Sequence, residues 1–171
     1  MAMCGRRVRR MVLLCCGVLW GAVGMSRGWA APLSDCPVAQ LDARFVDRAG
    51  VPGTLLVLRN GGTQACQLST LPEIAFEGGE GEPLDVDRRV PPPDRAGNAL
   101  PRVVVLPGAT VTAALSWEVR DRERVHHCIT PLMAGVILKD GILRLGFGRQ
   151  MCASGGTVLN LTQWPLTADE R

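Results

Sequence analysis

The residues with the most chemistry to offer crowd one stretch of the chain: His126-His127-Cys128, with Met133, Met151 and Cys152 not far beyond. Imidazole and thioether are copper ligands, and thioether favours the reduced ion, so His126, His127 and Met151 form a candidate surface copper site beside a Cys128–Cys152 bridge. That chemistry makes a demand on the backbone. Neighbouring residues of a strand point to opposite faces, so both imidazoles reach one ion only where the chain is irregular. On a regular backbone the two histidines are solvated, and the chain calls for no metal or other cofactor.

Other reactive groups are sparser. Past residue 30 no Gly-x-Ser-x-Gly elbow occurs, and Ser116 and Ser154 lack the flanking residues of an activated nucleophile. Asp85 and Asp87, and Glu118 with Asp121 and Glu123, are carboxylates in or beside loops, where solvation is their ordinary state. No catalytic residue is assigned, and the expected protein is not an enzyme. Stacked aromatics for sugar binding are scarce too: past residue 30 there are only Trp117, Trp164, Phe45, Phe76 and Phe147, most of them needed inside.

The chain opens with Arg6, Arg7, Arg9 and Arg10, an apolar run from Met11 to Met25, and a small-residue exit at Gly28-Trp29-Ala30-Ala31 before Pro32. This is the pattern of a cleaved export signal, residues 1–30, with cleavage after Ala30; the run is short for a spanning helix. Clustered arginines suit the general export route better than the twin-arginine one. Leu33-Ser34-Asp35 before Cys36 does not fit a lipid-attachment box. Removing residues 1–30 takes away five arginines and no acidic residue, so 14 basic side chains face 16 acidic ones and the formal charge turns from +3 to about −2. No basic surface remains to attract nucleic acid. The expected place is the periplasm or the extracellular space, with no stable membrane anchor.

Export also removes Cys4, Cys15 and Cys16 and leaves Cys36, Cys66, Cys128 and Cys152. An even set in an oxidising compartment predicts two disulfides. Four cysteines allow three connectivities; Cys36 with Cys66 and Cys128 with Cys152 are preferred, each closing a loop of moderate length. No Cys-x-x-Cys occurs among them, which argues against thiol catalysis.

The elements that must position these residues read as short strands. Leu41-Asp42-Ala43-Arg44-Phe45 alternates, with Leu41, Ala43 and Phe45 on one face. Thr54 to Leu58 is an apolar run suited to a strand covered on both sides. Asn60-Gly61-Gly62 then predicts a tight reversal, with Leu55–Arg59 and Ala65–Leu68 as its arms. Residues 77–102, rich in Gly and Pro, read as one long loop. Val103–Leu106, a Pro107-Gly108 turn and Thr110–Val119 follow, the last with Val111, Ala113, Leu115 and Trp117 on one face, Trp117 in the core. Asp140-Gly141 joins Ala134–Leu138 to Ile142–Phe147 as a hairpin, and Thr157–Thr162 is a last strand. Seven to nine strands without a required helix predict a single all-β domain over residues 31–171, an antiparallel sandwich, with a small barrel as the alternative.

The order of the motifs resembles that of an exported bacterial family known as domain of unknown function 4232. Its pattern is a cysteine opening the domain, an apolar strand, Asn-Gly, Cys-x-Leu, a proline, a Leu-x-Pro-Gly-like turn and two further cysteines. Here these are Cys36, Leu55–Leu58, Asn60-Gly61, Cys66-Gln67-Leu68, Pro72, Leu106-Pro107-Gly108, Cys128 and Cys152, reaching to about Pro165. Ser69-Thr70-Leu71-Pro72 stands where family members often carry Gly-Tyr-Pro. The resemblance implies an immunoglobulin-like β-sandwich and no established activity, so no residue role carries over. The expected function is a non-catalytic exported module that binds a protein or an envelope component. The alternative is a periplasmic copper protein using His126, His127 and Met151.

Overall fold

A computed structural model describes residues 32–90, 102–119, 126–154 and 156–168. The expected signal, residues 91–101 of the expected loop and the charged turn at 120–124 lie outside the described residues. A 3-10 turn at Val38–Gln40 leads into thirteen strands: β1 (Leu41–Asp47), β2 (Thr54–Asn60), β3 (Cys66–Ser69), β4 (Glu73–Glu77), β5 (Val86–Arg89), β6 (Arg102–Val105), β7 (Thr110–Trp117), β8 (His126–Ile129), β9 (Met133–Leu138), β10 (Gly141–Gly146), β11 (Met151–Ser154), β12 (Leu159–Gln163) and β13 (Thr167–Ala168). The larger sheet runs β1-β2-β7-β12-β5, with β13 also on β7; the second is β10-β9-β4, and β11-β8 and β3-β6 are two-stranded ribbons. This is the expected all-β, immunoglobulin-like sandwich, antiparallel apart from the parallel pair β5–β12.

Period-two alternation in the sequence becomes the interior. In the larger sheet, Leu41, Ala43 and Phe45 face inward from β1, Leu56 and Leu58 from β2, Val111, Ala113 and Leu115 from β7, and Leu159 and Leu161 from β12. The second sheet answers with Ile74 and Phe76, Ala134 and Val136, and Leu143 and Leu145. Phe147, just past β10, closes the gap. Its ring lies 5.3 Å from Phe45, 4.9 Å from Phe76 and 5.3 Å from Trp117, edge-on to the two phenylalanines and tilted to the indole. Trp117 is thus core-packed, as expected, and donates Nε1–H to the Gln150 carbonyl at 2.8 Å.

Both preferred disulfides are present. Cys36–Cys66 joins the entry segment to β3, with Cα atoms 4.9 Å apart; Cys128–Cys152 links directly opposed residues of β8 and β11 at 4.1 Å. By the chain-entropy argument, loops of 30 and 24 residues each gain roughly 3–4 kcal/mol from closure.

The thirteen strands of the described residues exceed the seven to nine expected, β5, β8, β11 and β13 being additional, and two further expectations fail. Asn60-Gly61-Gly62 does not make a hairpin: β3 pairs with β6, and neither Asn60 nor these glycines takes a positive φ. Asn60 is instead fully buried and organises the loop with its side chain, accepting from Gly62 N–H (2.9 Å) and donating to the carbonyls of Gln64 (2.8 Å) and Val105 (3.0 Å). The pattern of an Asx turn has replaced the reversal. Residues 77–102, in turn, are not one loop. The chain turns back within Gly78–Glu82, where Gly78 N–H reaches the Glu82 carbonyl (2.9 Å), and Leu84 N–H bonds the Phe76 carbonyl (2.9 Å). Then Val86–Arg89 adds β5 to the sheet edge. Val86-Asp87-Arg88-Arg89 carries no apolar alternation, so its strand character comes from its neighbours, through pairing with β12 and the bonds of Arg88 to Pro72 and Gln163.

Candidate functional site

The structure puts the copper set on one two-stranded ribbon, with His127 at the surface and Met151 in the core. β8 and β11 pair as Ser154–His126, Ala153–His127, Cys152–Cys128 and Met151–Ile129. His126 and His127 are consecutive positions of a regular paired strand, so the irregularity needed to bring both imidazoles to one ion is missing. The side chain of His126 lies outside the description. His127 is exposed, whereas Met151 is fully buried among the core residues, because its strand is covered by β12. A surface site needs a thioether that solvent can reach. Met151 is core, and the copper reading falls with it; among the described residues no group of three or more His, Cys, Asp or Glu side chains is placed to hold a metal.

A more developed cleft lies at the entry to the domain. Ser34, Asp35 and Cys36 run alongside β3: Cys36 N–H donates to the Gln67 carbonyl (3.1 Å), Gln67 N–H to the Ser34 carbonyl (2.9 Å), and Asp35 bridges Gln67 in parallel register. The Gln67 amide adds a bond to the Leu33 carbonyl (2.7 Å). The disulfide Cys36–Cys66 locks this junction, both sulfurs being buried. Asp35 therefore sits on a fixed backbone. Arg102, at the start of β6, and Lys139, in the β9–β10 turn, both reach its carboxylate: Arg102 Nη2 donates to Oδ1, and Lys139 Nζ stands 3.1 Å from Oδ2. Asp140, next in that turn, accepts the Val38 N–H at 3.1 and 3.3 Å, tying the turn to the 3-10 segment.

Three distant parts of the sequence thus form the walls of a cleft of about 200 Å³, with Leu68, Pro72, Ile137 and Leu138 as apolar lining and Ser69 at its rim. It continues into a shallower hollow over Pro37, Lys139 and Asp140. Arg102 has five N–H donors and Lys139 three, and Asp35 takes only part of that set; the remainder suits carbonyl or carboxylate groups, and Asp35 suits an amine. Apolar walls with a few convergent polar groups are the usual makings of a ligand site. Nothing in this arrangement resembles a nucleophile with its base. Little in the sequence announces it: Asp35 is conspicuous there only as a residue unsuited to lipid attachment, and Arg102 and Lys139 are ordinary surface cations until the fold brings them together.

Trp164, among the few aromatics past residue 30, is 41% exposed.

No curated protein matches the chain, and no solved structure matches it. One family model does, that of Domain of unknown function (DUF4232), over residues 36–140, a span that takes in Arg102 and Lys139 of the cleft but begins one residue after Asp35 and stops short of Cys152. With more than half of its length matched, the chain belongs to that family.

Proposed function

We propose that the protein is an exported, non-catalytic β-sandwich module that binds a protein or another envelope component through the Asp35 cleft. The observation that carries this reading is the convergence of Arg102 and Lys139 on Asp35, from segments that the sequence holds far apart, on a frame locked by Cys36–Cys66. A charged cleft on a rigid support loses little conformational freedom on binding, which favours recognition. Export is supported by the opening thirty residues and by two disulfides that persist in an oxidising compartment. Among the described residues no helix is long and apolar enough to cross a membrane. The four domain cysteines are consumed in disulfides and supply no thiolate, which supports a role without catalysis.

The test is site-specific photocrosslinking in the producing cell. A crosslinking residue at Ser69, on the cleft rim, is expected to trap a discrete partner, while one at Val51, in the β1–β2 turn at the far end of the larger sheet, does not. Arg102→Glu is expected to abolish the Ser69 adduct. Equal labelling from both positions, or an adduct indifferent to Arg102→Glu, would remove the cleft as the binding site.

A further inference from the structure

The outer face of the larger sheet carries an apolar row that the core does not use. Val46 of β1 stands opposite Leu55 of β2, and Leu55 opposite Ala114 of β7. Trp164, one residue past β12, donates its backbone N–H to the Ala114 carbonyl (3.0 Å) and continues the Gln163–Leu115 register, so it takes the fourth place in the row. Alternation along β12 buries Leu159, Leu161 and Gln163 and turns Trp164 outward. The positions that flank Ala114 and Trp164 in the neighbouring rows are uncharged and bear hydroxyls: Ser116 opposite Thr162 on one side, Thr112 opposite Thr167 on the other, all at least partly exposed. The nearest charges in register are Arg89, beyond Thr162, and Arg44, beyond Val57; Arg89 already pairs with Asp87.

An exposed indole framed by neutral hydroxyls offers a flat apolar plane and a rim of hydrogen-bonding groups. A sugar ring in a polysaccharide has the complementary form, a face of C–H bonds edged by hydroxyls, and carries no charge. A protein partner fits less well, since one apolar row is narrow beside the roughly 800 Å² per side of a standard interface. We propose that this face is a binding site for a neutral glycan, with Trp164 stacking on one sugar ring and Thr112, Ser116 and Thr162 bonding its hydroxyls. The site is separate from the Asp35 cleft, and Trp164 lies outside the segment matched to the family.

The test is affinity electrophoresis of the exported protein in gels containing β-glucan, galactomannan or glycol chitin, with sedimentation velocity in parallel. At least one polysaccharide is expected to retard the protein; Trp164→Ala should weaken that binding at least about tenfold, and Trp164→Tyr should retain most of it. Thr162→Arg, which leaves the indole in place and sets a long cation across the face, should also block retardation, while Arg102→Glu leaves it unchanged. Equal urea midpoints for the variants tie the losses to the face rather than to unfolding. Retardation by none of the polysaccharides overturns the proposal, as does retardation insensitive to both Trp164→Ala and Thr162→Arg. A change from dimer to monomer on Trp164→Ala would show a protein interface instead and would overturn it too.

Discussion

Two buried polar side chains mark opposite outcomes of the same physical rule. Asn60 is fully enclosed and fully employed: besides its side-chain bonds, its N–H reaches the Ala109 carbonyl (3.0 Å) and its carbonyl accepts from Gly108 (2.7 Å). Asn60→Ala leaves two carbonyls and one N–H without a partner, so a loss of about 2–3 kcal/mol is expected, read as a lower urea midpoint at unchanged slope. Thr70 is the reverse. Its hydroxyl is buried without a hydrogen-bond partner among the described residues, and the residue is 7% exposed. Thr70→Val keeps the shape and removes the stranded hydroxyl; it is expected to raise stability by about 0.5–1 kcal/mol, and a lower melting temperature would contradict this.

Elements differ in whether their sequence or their neighbours hold them. β1, β7 and β12 carry their own alternation, and their buried faces are the ones that a period of two selects. β5 has none of this. It is held by Arg88, whose Nη1 donates to the carbonyl of Pro72 (3.0 Å) and to Gln163 Oε1 (3.2 Å), while Gln163 Nε2 bonds the same Pro72 carbonyl (2.9 Å). Arg88→Met is expected to speed amide hydrogen exchange in β5 several-fold and to leave β1 and β2 unchanged, because the loss is local to the sheet edge. Protection unchanged in β5 would show that pairing with β12 suffices alone.

This contrast explains what could be read in advance. Strands whose inward residues are apolar announce themselves, as Leu41-Asp42-Ala43-Arg44-Phe45 does, and the Asp140-Gly141 turn needs only local geometry. β5 was invisible because its partners, Gln163 and Pro72, lie 75 and 16 residues away from Arg88. Asn60-Gly61 misled for a related reason: the dipeptide suits a tight reversal, but a carbonyl 45 residues on, at Val105, captured the amide of Asn60. The histidine pair drew attention by composition, which says nothing about which neighbour is buried. The Asp35 cleft stayed hidden because each of its charged groups is commonplace until three segments meet.

At the scale of the molecule, the two disulfides tie two peripheral elements to the core, with Cys36, Cys66 and Cys152 all buried. Cys36–Cys66 fastens the entry segment, and Cys128–Cys152 fastens the β8–β11 ribbon beside the larger sheet. Replacing Cys128 and Cys152 together by serine is expected to cost about 3 kcal/mol, measured as a lower urea midpoint, and to leave the near-ultraviolet signal of the core intact in the absence of denaturant. A variant already unfolded in water would show instead that the ribbon is required for folding.

The pairing also has an order in time. Of the four cysteines in the domain, each is joined to the next one along the chain, 36 to 66 and 128 to 152, with no interlacing. A chain oxidised from its N-terminal end as it emerges therefore meets its correct partners first, so direction of emergence and native connectivity agree, and the frame can be sealed without a later round of thiol exchange.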